Sequence, residues 1–349
     1  MSRLSLLLML LLLSSGCQRF TIRTQNRVAI DGPVDTRVDI PPVSPHAGPV
    51  RAVVVAQGTA AGRVAVIDVD GLILNTPFVG PLSVGENPVA LFREKLDAAE
   101  ADPCVKAVVL RVNSHGGGVA ACGAMRRDLA RFKARTGKPV VACLLDTACG
   151  GAYYLASAAD QVVAGEATVT GGVGVILNLF NLQDLMAQFN VIPQAIKAGE
   201  RTDIGTSARP LKPEEKQILQ AMADEFYGQI VAEVERSRAG LKPADGTTLD
   251  GRIFTATRAK ELGLVDQIGD LDAAIQLAAQ LGCGGDARPQ VILYRRANDP
   301  AHSVYAVTAN VPLQGAGLLP NIPGLDRSKL PTFLSMWQPE LTMEKLGGK

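Results

Sequence analysis

The chain has 349 residues, 47% of them hydrophobic, enough to bury a sizeable core in one large domain or two small ones. Its 35 basic and 34 acidic residues leave a formal net charge of +1, which excludes the electrostatic footprint of a nucleic-acid binder and a general polybasic attraction to anionic lipid. Aromatic residues make up 4% while glycine and alanine are plentiful, a composition suited to helices packed tightly on a sheet.

Arg3 precedes an almost unbroken apolar run from Leu4 to Leu13. A run of about ten apolar residues is too short to cross a ~30 Å bilayer core but suits the central region of a signal peptide, which assigns residues 1–16. Ser14, Ser15 and Gly16 then set Cys17 where a bacterial lipobox has its acylated cysteine, with Leu13 one place upstream of the usual leucine. The alternative is an ordinary signal peptide cut near Gly16. Either way the mature protein is exported, and lipidation of Cys17 would make it a cell-envelope lipoprotein anchored at the membrane. Five cysteines remain, Cys104, Cys122, Cys143, Cys149 and Cys283, without metal-type CxxC spacing. They read as small core hydrophobes, and nothing in the pattern calls for a metal or a cofactor.

Residues 17–62 show little periodicity and are rich in proline between Asp31 and Pro49, the composition of a tether. From Arg63 the character changes. Val64 to Val69 is a buried-strand pattern, Val89 to Ala101 a helix, Val105 to Val112 a strand, Gly123 to Arg135 a helix and Pro139 to Leu145 a third strand. This alternation predicts an α/β domain over 63–285 with right-handed crossovers between parallel strands. Pro213 to Ser237 is a further helix with Glu214 and Glu215 in its first turn, where negative charge suits the dipole. Its apolar positions Ile218, Leu219, Met222, Phe226, Ile230 and Val234 recur at helical spacing, fit either to cover the domain or to meet another subunit. Residues 286–349 turn rich in proline and glycine and read as a largely irregular extension.

Two glycine-rich segments follow parallel strands: Asn113-Ser-His-Gly-Gly-Gly-Val119, and Asp146-Thr-Ala-Cys-Gly-Gly-Ala-Tyr-Tyr154 running into an alanine-rich helix. Backbone N–H groups freed at such turns can converge on an anionic oxygen, which makes Gly116, Gly117 and Gly151 candidates for an oxyanion or substrate site. Tight turns also use glycine for steric reasons alone. Neither segment carries a phosphate-loop lysine or a dinucleotide fingerprint.

In order and spacing, Ile67-Asp-Val-Asp-Gly-Leu-Ile73, Val105 to Val119, Lys138 to Asp160, Thr170-Gly-Gly-Val-Gly-Val175, Ile196-Lys-Ala-Gly199 and Gly263-Leu-Val-Asp-Gln-Ile-Gly269 resemble successive motifs of the signal peptide peptidase (SppA-like) serine peptidases. The resemblance implies a ClpP/crotonase-type fold of repeated β-β-α units and assembly into rings around the active sites. It also implies endopeptidase action on extended peptides by a serine nucleophile with a lysine base.

At the two catalytic positions the chain departs from that pattern. Aligning Lys138-Pro139 on one side and Tyr153 with Ala158-Ala-Asp160 on the other, without a gap, sets Gly150 at the nucleophile position. Sliding by one residue would make Cys149 a thiol nucleophile, at the cost of an extra residue inside the following helix. Thr202 stands where the family has its catalytic lysine. Arg201 beside it stays protonated and is no base, and Lys197 falls at the family's other, structural lysine position. Gly172 replaces the serine of a Gly-Ser-Ile-Gly-Val turn, and His115 replaces a proline.

Three readings follow. One is a peptide-binding protein or subunit that has lost the Ser-Lys dyad, in a homo-oligomeric ring or a ring mixed with active relatives. The second is a peptidase using a Cys149–His115 dyad, with the alternative that His115 is an ordinary loop histidine. A crotonase-like acyl-thioester enzyme is the third, and the motifs speak against it.

Overall fold

The computed structural model describes residues 48–307 and 333–337, apart from 61, 78, 81–82, 85, 243–246, 285–287 and 298. The chain divides into two units, 1–47 and 48–349, and every described residue belongs to the second. The signal-peptide assignment over 1–16 and the lipidation site Cys17 therefore lie outside the described residues, as does most of the tether. Among the described residues no helix is long and apolar enough to cross a membrane.

In chain order the elements are β1 (Arg51–Ala56), β2 (Arg63–Ile73), β3 (Val79–Gly80), β4 (Ser83–Val84), α1 (Pro88–Ala101), β5 (Val105–Gly118), α2 (Val119–Thr136), β6 (Val140–Cys149) and α3 (Gly151–Ala156). They continue with β7 (Gln161–Ala164), β8 (Val169–Gly171), α4 (Gln183–Gln188), α5 (Pro213–Ser237), β9 (Ile253–Thr255), α6 (Ala256–Glu261), β10 (Gln267–Ile268), α7 (Leu271–Cys283), β11 (Gln290–Arg295) and β12 (Leu334–Met336). The main sheet runs β1-β11-β2-β5-β6-β7-β10, with β12 added to β5 and β8 bridging β6 and β9. β11, β2, β5, β6, β7 and β10 are parallel to their neighbours along this path, and only β1 joins antiparallel. This is the mixed α/β architecture with interleaved helices that the strand and helix alternation predicts.

Successive side chains on each central strand face opposite layers, and those two apart share one. Ala65, Ile67 and Val69 of β2, Val108, Leu110 and Val112 of β5, and Val140, Ala142 and Leu144 of β6 pack with Phe92 and Leu96 of α1 and Met125, Leu129 and Phe132 of α2. Val64 and Val66, Ala107 and Val109, and Val141 and Cys143 face the other way, onto Leu271, Ala274, Ile275 and Ala278 of α7. Burying each large apolar side chain of this kind contributes about 1.5–3 kcal/mol. Asn87 caps α1 by accepting from the Val89 and Ala90 amides at 2.9 and 3.3 Å, with Pro88 in the first turn, and Asp270 caps α7 through the Ala273 amide at 2.8 Å.

Three expectations are corrected. Residues 51–56 belong to the sheet rather than to a tether, because the Val53-Val54-Val55 run finds a partner in β11, Arg51 standing opposite Arg295. β11 in turn lies inside the region read as irregular, where Gln290–Arg295 pairs in parallel with β2 and buries Val291, Ile292, Leu293 and Tyr294. The glycines at 116–118 do not end β5; the strand runs through them to Gly118 and α2 starts at Val119, earlier than the predicted Gly123. The cause is close approach. A methyl group on Gly117 would stand 2.6 Å from the Ile73 carbonyl carbon, so glycine is what lets β2 and β5 remain paired there.

Between β8 and α5 the chain leaves the core. Residues 187–202 are all exposed, including Phe189 and Ile192 at 73% each. Along α5 only Ile230 and Val234 of the apolar stripe are buried, while Ile218 and Met222 stay exposed. The stripe covers its own domain over the C-terminal half of the helix only.

Candidate functional site: two glycine-rich edges and a docked strand

The far end of β5 is fixed by short polar links to its neighbours. Ser114 Oγ donates to the Gly71 carbonyl at 2.5 Å and accepts from the Gly116 amide at 3.0 Å, while Asn113 Oδ1 accepts from the Thr147 amide at 3.2 Å. Beside it, β6 ends at the second glycine-rich turn. Gly150 has φ 55° and ψ −123°, a backbone conformation close to glycine-only territory, and it redirects the chain from β6 into the six-residue helix α3. Its amide donates to the Gly171 carbonyl at 2.9 Å and its carbonyl accepts from the Tyr154 amide at 2.9 Å. Behind α3, Tyr153 Oη donates to the Leu264 carbonyl at 2.8 Å, and Asp266 accepts from the Val162 amide at 2.7 Å and from Arg238. These bonds tie the 263–269 motif to the back of the turn.

A third chain segment lies across both edges. β12 pairs antiparallel with β5, setting Leu334, Ser335 and Met336 opposite Gly118, Gly117 and Gly116. Its ends are fixed by the Val119 amide donating to the Phe333 carbonyl at 3.1 Å and the Trp337 amide donating to the His115 carbonyl at 3.0 Å. On its other side Leu334 exchanges two hydrogen bonds with Ile176, at 2.8 and 2.9 Å. Phe333 meets Phe226 of α5 edge-on at 5.1 Å, and Trp337 stacks on His115 at 5.8 Å. A methyl group on Gly150 would stand 2.6 Å from Met336 Cα and 2.7 Å from both Ser335 C and Met336 N. One on Gly151 would stand 3.0 Å from the Ser335 oxygen, which is also the nearest atom to a methyl group on Gly116. The Ser335–Met336 peptide unit therefore rests on the turn at Gly150, its carbonyl directed at the glycines named from sequence.

The structure does not assemble the Cys149–His115 pair. Cys149 is fully buried, its thiol donates to the Val169 carbonyl at 3.5 Å, and burial pushes the thiol up to about 12. A reactive thiolate needs the opposite environment, electropositive and partly exposed. His115 is engaged with Trp337, and no hydrogen bond joins it to Cys149 among the described residues.

Thr202 lies on the exposed stretch, its hydroxyl donating to the Ala198 and Gly199 carbonyls at 2.9 Å each. Lys197 donates to the Glu200 carbonyl at 2.9 Å and to Asp203 Oδ1 at 2.5 Å, and Arg209 links Asp203 to Glu215. Hydrogen bonds from Arg209 and Lys197 hold the Asp203 carboxyl well below the usual carboxylate range. Lys197 thus staples this stretch to itself, and no hydrogen bond or ion pair joins Thr202 or Lys197 to the turn at Gly150 among the described residues. Gly172 does reach that turn: a methyl group there would stand 3.3 Å from Cys149 Cβ and from the Gly150 amide nitrogen.

Residues 132–282 match the family described as Peptidase family S49, and the match contains the turn at Gly150, the Gly172 turn and the 263–269 motif. The matched segment belongs to peptidase family S49. "Protease 4" of Salmonella typhi is 32% identical over 220 residues, 63% of this chain and 35% of that protein. A "putative protease" of Methanocaldococcus jannaschii is 34% identical over 199 residues, 57% of this chain and 63% of that protein. The "putative signal peptide peptidase SppA" of Enterococcus faecium is 29% identical over 219 residues, 63% of each chain. The chain thus spans from about a third to somewhat under two thirds of these relatives' lengths. The largely parallel sheet with interleaved helices is consistent with the S49 fold. Sequence reasoning missed Phe333 to Trp337. The available signal was an apolar run carrying the chain's single tryptophan within an otherwise proline- and glycine-rich tail.

Proposed function

We propose that this protein is an exported S49-fold protein that binds extended peptide and has lost the Ser-Lys dyad. The observation that carries the reading is the turn at Gly150, where the site geometry is retained and the reacting side chain is absent. A Cβ at this residue would point at a docked peptide bond, as a nucleophile must, and glycine supplies none. This supports Gly150 rather than Cys149 as the nucleophile position, in line with the ungapped alignment. Thr202 offers no basic group at the lysine position. Removing one member of such a unit typically costs several powers of ten in rate, and the losses do not add, so the oxyanion site alone would remain.

Membrane attachment through Cys17 and assembly into a ring belong to the same reading. Support for the first is the apolar run ending in Ser-Ser-Gly-Cys, and for the second the exposed apolar side chains of 187–202 together with Ile218 and Met222 on α5.

The test is turnover of casein and of a signal-peptide substrate by the purified wild-type protein, with Cys149→Ala as control. The expected result is no turnover in either. Turnover abolished by Cys149→Ala would overturn the reading in favour of a cysteine peptidase. Cys17→Ala should release the protein from the membrane fraction, and lipid labelling that persisted in that variant would remove the anchor from the account.

A further inference from the structure

We propose that residues 333–337 are a resident pseudosubstrate: they occupy the peptide groove of their own chain, and an external peptide binds only by displacing them. The inference rests on the peptide-binding reading above and adds what fills the site and what selects its occupant. Addition of an extended strand to an exposed sheet edge, with main-chain bonds giving affinity and side-chain pockets giving selectivity, is a general mode of peptide recognition. Phe333 to Trp337 meets that description on both sides, hydrogen-bonded to His115 of β5 and to Val119 at the start of α2, and to the opposite wall through Ile176. Aromatic contacts hold its two ends, Phe333 on Phe226 and Trp337 on His115.

The fit at the centre explains the glycine at the nucleophile position. Met336 Cα would lie 2.6 Å from any Cβ at residue 150, closer than van der Waals contact permits, so the docked strand and a side chain there exclude each other. Glycine is what makes the groove available to its own tail.

Selection at the site is by size. Ser335 is fully buried, and its hydroxyl has no hydrogen-bond partner among the described residues. A buried hydroxyl without a partner is unfavourable, so the pocket takes a small side chain for its volume and gains nothing from its polarity. The occupant is an extended apolar peptide with a small central residue, and alanine should serve there better than serine.

A docked segment of the same chain competes with free peptide at an effective concentration in the millimolar range. The full chain is therefore compared with a full-length Phe333→Ala/Leu334→Pro variant, which lacks the Phe226 contact and the amide that donates to Ile176. The probe is a fluorescein-labelled peptide, Pro-Thr-Phe-Leu-Ser-Met-Phe-Gln-Pro, read by anisotropy, with Trp337 emission and acrylamide quenching read in parallel. The expected result is probe binding at least tenfold tighter to the variant than to the wild type, with Trp337 more readily quenched in the variant. Replacing the probe's serine by alanine should tighten binding several-fold, and replacing it by leucine should weaken it at least tenfold. Equal binding to wild type and variant would overturn the resident strand and leave the peptide-binding reading intact. Failure of the probe to bind either protein, each shown folded by circular dichroism, would overturn both. Quenching of wild-type Trp337 that rises on dilution would assign the docked strand to a neighbouring copy and overturn occupancy by the same chain.

Discussion

The two positions proposed for the family's catalytic pair, Gly150 and Thr202, fall in regions of opposite character. The turn at 149–151 closes the centre of the sheet, where most residues of β2, β5 and β6 are buried, and neighbouring backbone from β5, β8 and β12 surrounds it. The lysine position, by contrast, falls on residues 187–202, where every residue is exposed and the polar contacts of Lys197, Asp203 and Arg209 are largely local. A substitution on that stretch disturbs little besides chemistry. One at Gly150 must be reconciled with the strand docked on it. On the proposed reading, loss of the base is structurally inexpensive, whereas glycine at the nucleophile position carries a gain, the room it leaves for Ser335 and Met336.

The contrast is broken or sharpened by a graded set of substitutions. The largest effect belongs to the core, where Lys95 donates to Asp68 at 2.8 Å with both side chains buried. Asp68→Ala leaves the ammonium buried without this partner and should cost about 3–5 kcal/mol in urea unfolding. A loss no greater than that from Arg209→Ala on the outer stretch would collapse the distinction. Burial opposes ionisation of Asp68, but Lys95, with Arg111 and Arg295, holds its carboxyl below the ordinary range. A depressed carboxylate stabilises the fold above its unfolded pKa of ~3.9 and ceases to do so as the pH falls through its lower folded value. The stability from this pair should accordingly stay level from neutrality to about pH 5 and be lost only in stronger acid.

Next comes Gly150→Val, which combines backbone strain of about 1–3 kcal/mol with eviction of β12. It should lower the thermal midpoint and shift Trp337 emission to the red, and a midpoint change without the spectral shift would separate the turn from the strand. Third, Cys149 should resist iodoacetamide at pH 8 in the native protein while exposed Cys104 reacts, because a thiol pushed to about 12 offers almost no thiolate. Mass-spectrometric counting of labels with and without denaturant checks this. The smallest effect is expected from Thr202→Lys, a surface change within about 0.5 kcal/mol of neutral by the same unfolding assay.

Nearly continuous apolar runs such as Val105 to Val112 and the 3.6-residue spacing along Pro213 to Ser237 mark strands and helices from local sequence alone, and these were legible. The ends of the domain were not, because β1 and β11 are stabilised by each other and by β2 across more than two hundred residues, and no local pattern carries such pairing. Gly116, Gly117 and Gly151 are legible as a candidate site from their place after parallel strands, and Gly150 from the resemblance to the family's motif. Their occupant was hidden for the same reason as the sheet edge: Leu334 to Met336 gain their meaning only from Gly116 to Gly118. Cys149 and His115 are not brought together because Cys149 is buried with its thiol on the Val169 carbonyl while His115 stacks on Trp337, an orientation that sequence proximity to a turn does not reveal.

The placement of β11 between β1 and β2 also sets a timetable. Until residues 290–295 have left the ribosome, β2 keeps an open edge and β1 has no strand to join. Long-range pairing of this kind folds slowly and closes late, so the emerging chain stays incompletely folded for most of its synthesis. On the proposed export route, such a late-closing edge would preserve an unfolded, transport-ready state during synthesis.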